Sequence, residues 1–279
     1  MRRGRDDARM GRKEMGRKDR PQSPRAAARD TRKLLRVATL PAVLAVHATA
    51  PERIEQLYFE EALKTSLGEL CITLAKAHRP YRVTDARELE RLAGTPMHGG
   101  VLALARPRLV PILDTADAKL WAQDGHLLPI LDGIGNPHNL GAIARTAAFF
   151  GVPRLIFSNH PGQALPSDAS YRVARGGLDY LALYQAHRLP EALKRLRRDY
   201  LIVGTTLERG QPAASIGRAG RPVALVLGNE EEGLPAATLE ACEAIVTIPG
   251  GGQVQSLNVA ASAAILIHEL QRKGGAATG

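Results

Sequence analysis

Three short stretches of the chain gather the side chains that could do chemistry. GNPHNLGAIARTA (135–147) carries Asn139 and Arg145, LVLGNEEEGLP (225–235) carries Glu230, and IPGGGQVQSLNVAASAA (248–264) carries Ser256 and Asn258. A guanidinium can hold a phosphate or stabilise charge growing on an oxygen. Carboxamides, a hydroxyl and a carboxylate can orient it by hydrogen bonds. The glycines nearby invite a nucleotide reading, but Gly133, Gly135 and Gly141 are spaced G-x-G-x5-G rather than G-x-G-x-x-G, and Pro137 interrupts the loop. No G-x4-G-K-[ST] and no G-x-S-x-G occurs, and the histidines form no metal pair at helical spacing. Dehydrogenase, kinase and hydrolase readings therefore lose ground.

Each stretch follows an apolar run. From 126 onward strands and helices alternate. Strands are expected at 126–134, 153–159, 201–206, 222–229 and 244–249, and helices at 140–151, 189–200, 234–243 and 256–272. This pattern calls for a mainly parallel sheet covered by helices, with ligands beyond the carboxyl ends of the strands. Upstream, 35–47 is apolar and reads as strand or short helix. Strands are expected at 54–60, 80–85 and 99–107, and helices at 61–78 and 86–94. Residues 107–125 are less regular and read as a linker.

The chain has 279 residues and a net charge of +10, and nine of those charges lie in residues 1–36. A basic arm on a nearly neutral body attracts polyanions by counterion release. The plainer alternative is a disordered, solubilising leader. No apolar run is long enough for a membrane span, and the first residues lack the apolar core of a secretion signal. Cys71 and Cys242 lie far apart within apolar helical patterns, which fits core positions in a reduced, cytoplasmic setting.

Taken together and in this order, the three stretches resemble the motifs of the SpoU, or TrmH-like, branch of the SPOUT methyltransferases. Those motifs run N-x-G-A-x-x-R-T-A, G-N-E-x-x-G and I-P-x-x-G-x-x-x-S-L-N-V. Residues 37–108, with RELERLAGTPMHGGVLAL (87–104), resemble the family's small substrate-binding domain, which is similar to ribosomal protein L30e. Gly99 stands where relatives often have Gln. The resemblance implies an α/β fold of four parts: a disordered basic arm (1–36), an L30e-like domain (37–108), a linker (109–125) and a SPOUT domain (126–279) closed by a trefoil knot. Knots are otherwise nearly absent from proteins.

The resemblance also implies roles. Asn139, Arg145, Glu230, Ser256 and Asn258 match the family's catalytic-type positions. Gly228, Ile248 and Leu257 match positions whose backbone holds S-adenosylmethionine. The expected reaction moves a methyl group to a ribose 2′-hydroxyl of RNA, ribosomal RNA favoured over transfer RNA, in a homodimer that needs neither metal nor membrane. Arginine is effectively always protonated, so an electrostatic role for Arg145 is easier than that of a base. Plain structural readings stand beside these. Asn139 could cap a helix at Leu140, Ser256 could cap the terminal helix, Glu230 could be one of three solvated acids, and Arg145 a surface residue. His138 matches no family role. Gly250 replaces a bulky residue common in relatives, and Ala260 a serine, which bears on cofactor affinity. The alternative function is a non-catalytic RNA-binding or ribosome-assembly factor that kept the fold.

Overall fold

The computed structural model describes residues 34–206, 210–217 and 220–272. The expected arm lies outside the described residues, except that Leu35 and Arg36 already belong to the first strand.

The N-terminal unit is a four-stranded sheet with helices. Its strands are β1 (Leu35–Ala38), β2 (Ile54–Phe59), β3 (Tyr81–Val83) and β4 (Val101–Ala105), in the spatial order β1-β4-β2-β3. The helices are α1 (Leu40–Thr49), α2 (Gly68–Lys76) and α3 (Ala86–Ala93). The expected helix 61–78 is shorter than its apolar spacing suggested. Glu61–Leu63 form a 3-10 turn, and the α-helix starts only at Gly68. Asp85 caps α3 by accepting from the Glu88 N–H at 2.8 Å.

The stretch 107–125 is more ordered than a linker. It contains α4 (Thr115–Gln123), capped by Asp114, whose Trp121 packs in a second apolar core. A seven-stranded, all-parallel sheet follows. Its strands are β5 (Leu128–Leu131), β6 (Arg154–Ser158), β7 (Ala182–Ala186), β8 (Leu201–Thr205), β9 (Gln211–Pro212), β10 (Val223–Leu227) and β11 (Ala244–Thr247). Their order is β7-β6-β5-β10-β8-β11-β9. Every residue of β5 and β10 is buried, as expected of central parallel strands covered on both faces. The helices are α5 (Pro137–Phe149), α6 (Asp168–Ala174), α7 (Gly177–Tyr180), α8 (Leu189–Leu196), α9 (Ala236–Glu240) and α10 (Val259–Arg272).

From β5 the chain winds outward one way through β6 and β7, and the other half of the sheet starts beside β5 at β10. The β5–β10 boundary is thus the topological switch point, where loops diverge and leave a crevice. One apolar core runs from Val37 and Val43 in the N-terminal unit to Leu178 of α7 and Leu266 of α10 against the larger sheet.

Candidate active site

The loops after β5 and β10 meet at the switch point. Gly228 makes the second loop possible. A Cβ there would come within 2.6 Å of the Gly233 carbonyl, yet Asn229 and Gly233 exchange two backbone hydrogen bonds of 3.0 Å across this turn. Asn229 then ties the two loops together. Its Nδ2 donates to the Gly133 carbonyl at 3.1 Å, and its Oδ1 accepts from the Glu231 and Glu232 N–H groups.

Glu230 is held quite differently from its two acidic neighbours. Its Oε1 accepts from Asn139 Nδ2 at 2.8 Å, from Asn258 Nδ2 at 2.7 Å and from the Val259 N–H at 3.1 Å. Asn258 Nδ2 also reaches Asn139 Oδ1 at 3.1 Å. The three motifs therefore converge on one carboxylate oxygen. Glu230 is exposed as a residue, but unlike a free surface acid it holds three donors.

Two capping expectations need correction. The cap of α5 is Asn136, whose Oδ1 accepts from the His138 N–H at 2.8 Å, with Pro137 at the first helical position. That leaves Asn139, only 7% exposed, to face the network. The terminal helix begins at Val259 rather than 256, and Asn258, not Ser256, caps it by accepting from the Ala260 N–H at 2.9 Å. Asn258 thus spends its carbonyl oxygen on the helix and its amide on the site.

Beside this network lies a cleft of about 350 Å³, within the roughly 300–1,000 Å³ usual for small-molecule sites. Gly228, Ile248, Ser256 and Leu257 all line it. So do Thr205, Thr206 and Ser262, which the sequence reading passed over. A second hollow of about 210 Å³ adjoins it, lined by Gly135, Asn136, Asn139 and Glu230. Asn229, Glu230, Glu231 and Val259 border both. Around Gly250 there is open space, since a Cβ there would meet nothing within 4 Å. Ala260 packs against the core.

Arg145 stands apart. It lies six residues beyond Asn139, about 9 Å along the helix and two-thirds of a turn around it. It is exposed and lines neither hollow. Its face of α5 is a stripe with His138, Ala142 and Phe149 at i, i+4, i+7 and i+11, and Phe149 is 82% exposed. Burial pushes the Cys242 thiol up to about 12, which makes it inert and consistent with a core position. Among the described residues no group of three His, Cys, Asp or Glu side chains gathers as a metal set, and no helix is long and apolar enough to cross a membrane.

Residues 126–268 match the model of the SpoU rRNA Methylase family, and residues 40–110 match that of the RNA 2′-O ribose methyltransferase substrate binding domain. The chain belongs to the SpoU family. It is 37% identical over 230 residues to the 23S rRNA (guanosine-2′-O-)-methyltransferase RlmB of Acinetobacter baylyi, covering 80% of this chain and 91% of that one. It is 31% identical over 233 residues to an uncharacterized tRNA/rRNA methyltransferase, YfiF, of Escherichia coli O157:H7, covering 83% of this chain and 66% of that one. An AdoMet-bound rRNA methyltransferase from Sinorhizobium meliloti shares the fold, with a TM-score of 0.70, 22% identity and coverage of 86% and 88%.

Proposed function

We propose that this SpoU-family chain is an S-adenosylmethionine-dependent RNA methyltransferase that acts on a ribose 2′-hydroxyl, with ribosomal RNA as the favoured substrate. The observation that carries this reading is the convergence of Asn139, Glu230 and Asn258 on the wall between two adjoining hollows. The larger hollow suits the cofactor. It is lined by residues of the second and third motifs, with Thr205, Thr206 and Ser262, and Glu230, Glu231 and Glu232 border it. S-adenosylmethionine supplies an already activated methyl on a sulfonium, so no metal is called for. The smaller hollow suits the acceptor nucleotide. Its wall offers the carboxamides of Asn136 and Asn139 to a ribose. The relatives named above support the substrate class, and the two matched regions support residues 37–108 as the RNA-binding domain and 126–279 as the catalytic one. The family's trefoil knot and a cytoplasmic location belong to the same proposal.

The difficult step is loss of the 2′-hydroxyl proton. Arg145 cannot serve as a base, because its guanidinium keeps its charge. It clamps the neighbouring phosphate and stabilises charge growing on the oxygen, while the phosphate or a water takes the proton. Its distance from the network along α5 fits a homodimer. A second copy that covers the exposed Phe149 also approaches Arg145 on the same stripe, and exposed Ile265 on α10, which packs against α5, extends that surface. The test combines purified protein, labelled S-adenosylmethionine, and unmodified ribosomal and transfer RNA digested to nucleosides. Label in a 2′-O-methyl nucleoside is the expected result. Replacement of Arg145 by Ala should lower turnover by about a hundredfold or more while cofactor binding holds. Cofactor binding without label in either RNA pool would count against the substrate class. Absence of both would favour a non-catalytic RNA-binding factor.

A further inference from the structure

The N-terminal unit meets the larger domain at α6 and at the short helix α7, where the most buried polar contacts lie. Arg53 enters from the start of β2, and its Nη1 donates to Asp179 Oδ1 at 2.7 Å. Its Nη2 donates to the Tyr171 hydroxyl at 3.0 Å, and its Nε to the Arg106 carbonyl at 3.0 Å. The Asp179 side chain is fully buried and that of Arg53 is 9% exposed. Arg108 adds Nη1 bonds to the carbonyls of Leu178 and Leu181 at 2.7 and 3.0 Å. Backbone contact closes the joint. Gly176, at φ +99°, leaves no room for a Cβ, which would stand 2.7 Å from the Ala45 methyl of α1.

The opposite side of α7 rests on α5, with Gly177 in tight backbone contact. A Cβ on Gly177 would lie 2.7 Å from the Arg145 Cα and 2.9 Å from the Ala144 carbonyl oxygen. The four-residue helix and the Gly176 that precedes it therefore touch the N-terminal unit through Gly176 and Asp179 and the Arg145 backbone through Gly177. A buried ion pair is a poor source of net stability, since desolvation offsets most of its attraction. Its advantage over an apolar contact is a fixed geometry.

We propose that Arg53 and Asp179 are positioning residues: through α7 they fix the RNA-binding unit against α5, the helix that carries Asn139 and Arg145, so that bound RNA presents its acceptor ribose to the site. This rests on the methyltransferase reading above. Neither residue lines either hollow. Both act by holding a spacer whose misplacement by about 1 Å can cost a hundredfold in rate.

Two variants test it in the full-length chain. Arg53→Met with Asp179→Leu removes both charges together, so no lone buried charge remains. Gly177→Ala forces α7 away from Arg145 while keeping both charges of the pair. The readouts are kcat and KM with RNA, the position of the methyl group, the Kd of S-adenosylmethionine, and small-angle scattering. In both variants kcat with RNA should fall by about tenfold or more while the cofactor Kd holds within about twofold. The double variant should in addition raise the RNA KM, spread methylation to neighbouring nucleotides and show a looser scattering profile. Arg53→Lys, which keeps the charge but loses the planar fork, should fall between wild type and the double variant. A double variant with wild-type kcat, KM and target position overturns the proposal. So does a loss of cofactor binding in proportion to kcat, which would mark the pair as mere support for the catalytic fold. A wild-type chain that labels no RNA would instead overturn the reading on which this rests.

Discussion

Two polar clusters organise this molecule, and they differ mainly in their access to water. Glu230, Asn139 and Asn258 sit at the rim of two hollows, and both Glu230 and Asn258 are exposed as residues. Arg53, Asp179 and Tyr171 lie inside the joint between the two sheets. At the rim a broken hydrogen bond can be remade with solvent. In the joint it cannot, and Asp179 Oδ2 is already buried without a partner. The rim should therefore govern chemistry with modest effects on stability, while the joint should govern stability and geometry.

The most severe way to break this contrast is Arg53→Ala. It strands the Asp179 carboxylate inside the protein and should cost about 3–5 kcal/mol of unfolding free energy, read from chemical denaturation. Glu230→Ala leaves three donors without their acceptor, but the space it vacates opens onto both hollows and admits water in its place, so the stability loss should be about 1 kcal/mol. Its larger effect should be on turnover, because Asn139 and Asn258 lose the atom that orients them. Equal destabilisation by the two substitutions would erase the distinction between the clusters. Tyr171→Phe is a finer probe. It removes one acceptor from Arg53, and its bond to Asp179 is long at 3.5 Å, so a cost of about 1 kcal/mol is expected in the same assay.

The rim was legible in the sequence and the joint was not. The rim residues sit in three compact motifs, each at the end of an apolar strand that reads as buried. Their cap assignments failed because Asn136 and Asn139, like Ser256 and Asn258, are polar residues two or three apart, and either member can cap a helix. The distance of Arg145 from Asn139 was implicit in their six-residue separation, since that spacing cannot share a helix face. The joint left no such trace. Arg53 and Asp179 are 126 residues apart in sequence, and each alone reads as an ordinary surface charge. The helix α7, which carries Asp179, has four residues, too few for helical periodicity to register. The helix α4 was missed for a similar reason: its cap, Asp114, sits in an irregular stretch, and only Ala118 and Trp121 are buried.

The smallest predicted effect asks whether burial or attraction dominates at the joint. Burial raises the Asp179 carboxyl above its usual range, while Arg53 and Arg108 pull the other way. A folded-state pKa above the unfolded value, about 3.9, makes the folded chain bind the proton more tightly. Below that unfolded value both states are protonated and the carboxyl imposes no penalty. As the pH climbs through the folded value, the unfolded chain ionises freely, the folded one does so at a cost, and stability falls. An Asp179→Asn chain lacks this titration, and its other groups titrate as in the wild type. The stability of the wild type relative to that variant should therefore decline as the pH rises from about 4 and level off once the folded carboxyl has ionised. Urea midpoints measured across this range give the sign directly. A difference that grew with pH would mean that the guanidinium attraction outweighs desolvation, and the joint would then stabilise the fold as well as orient it.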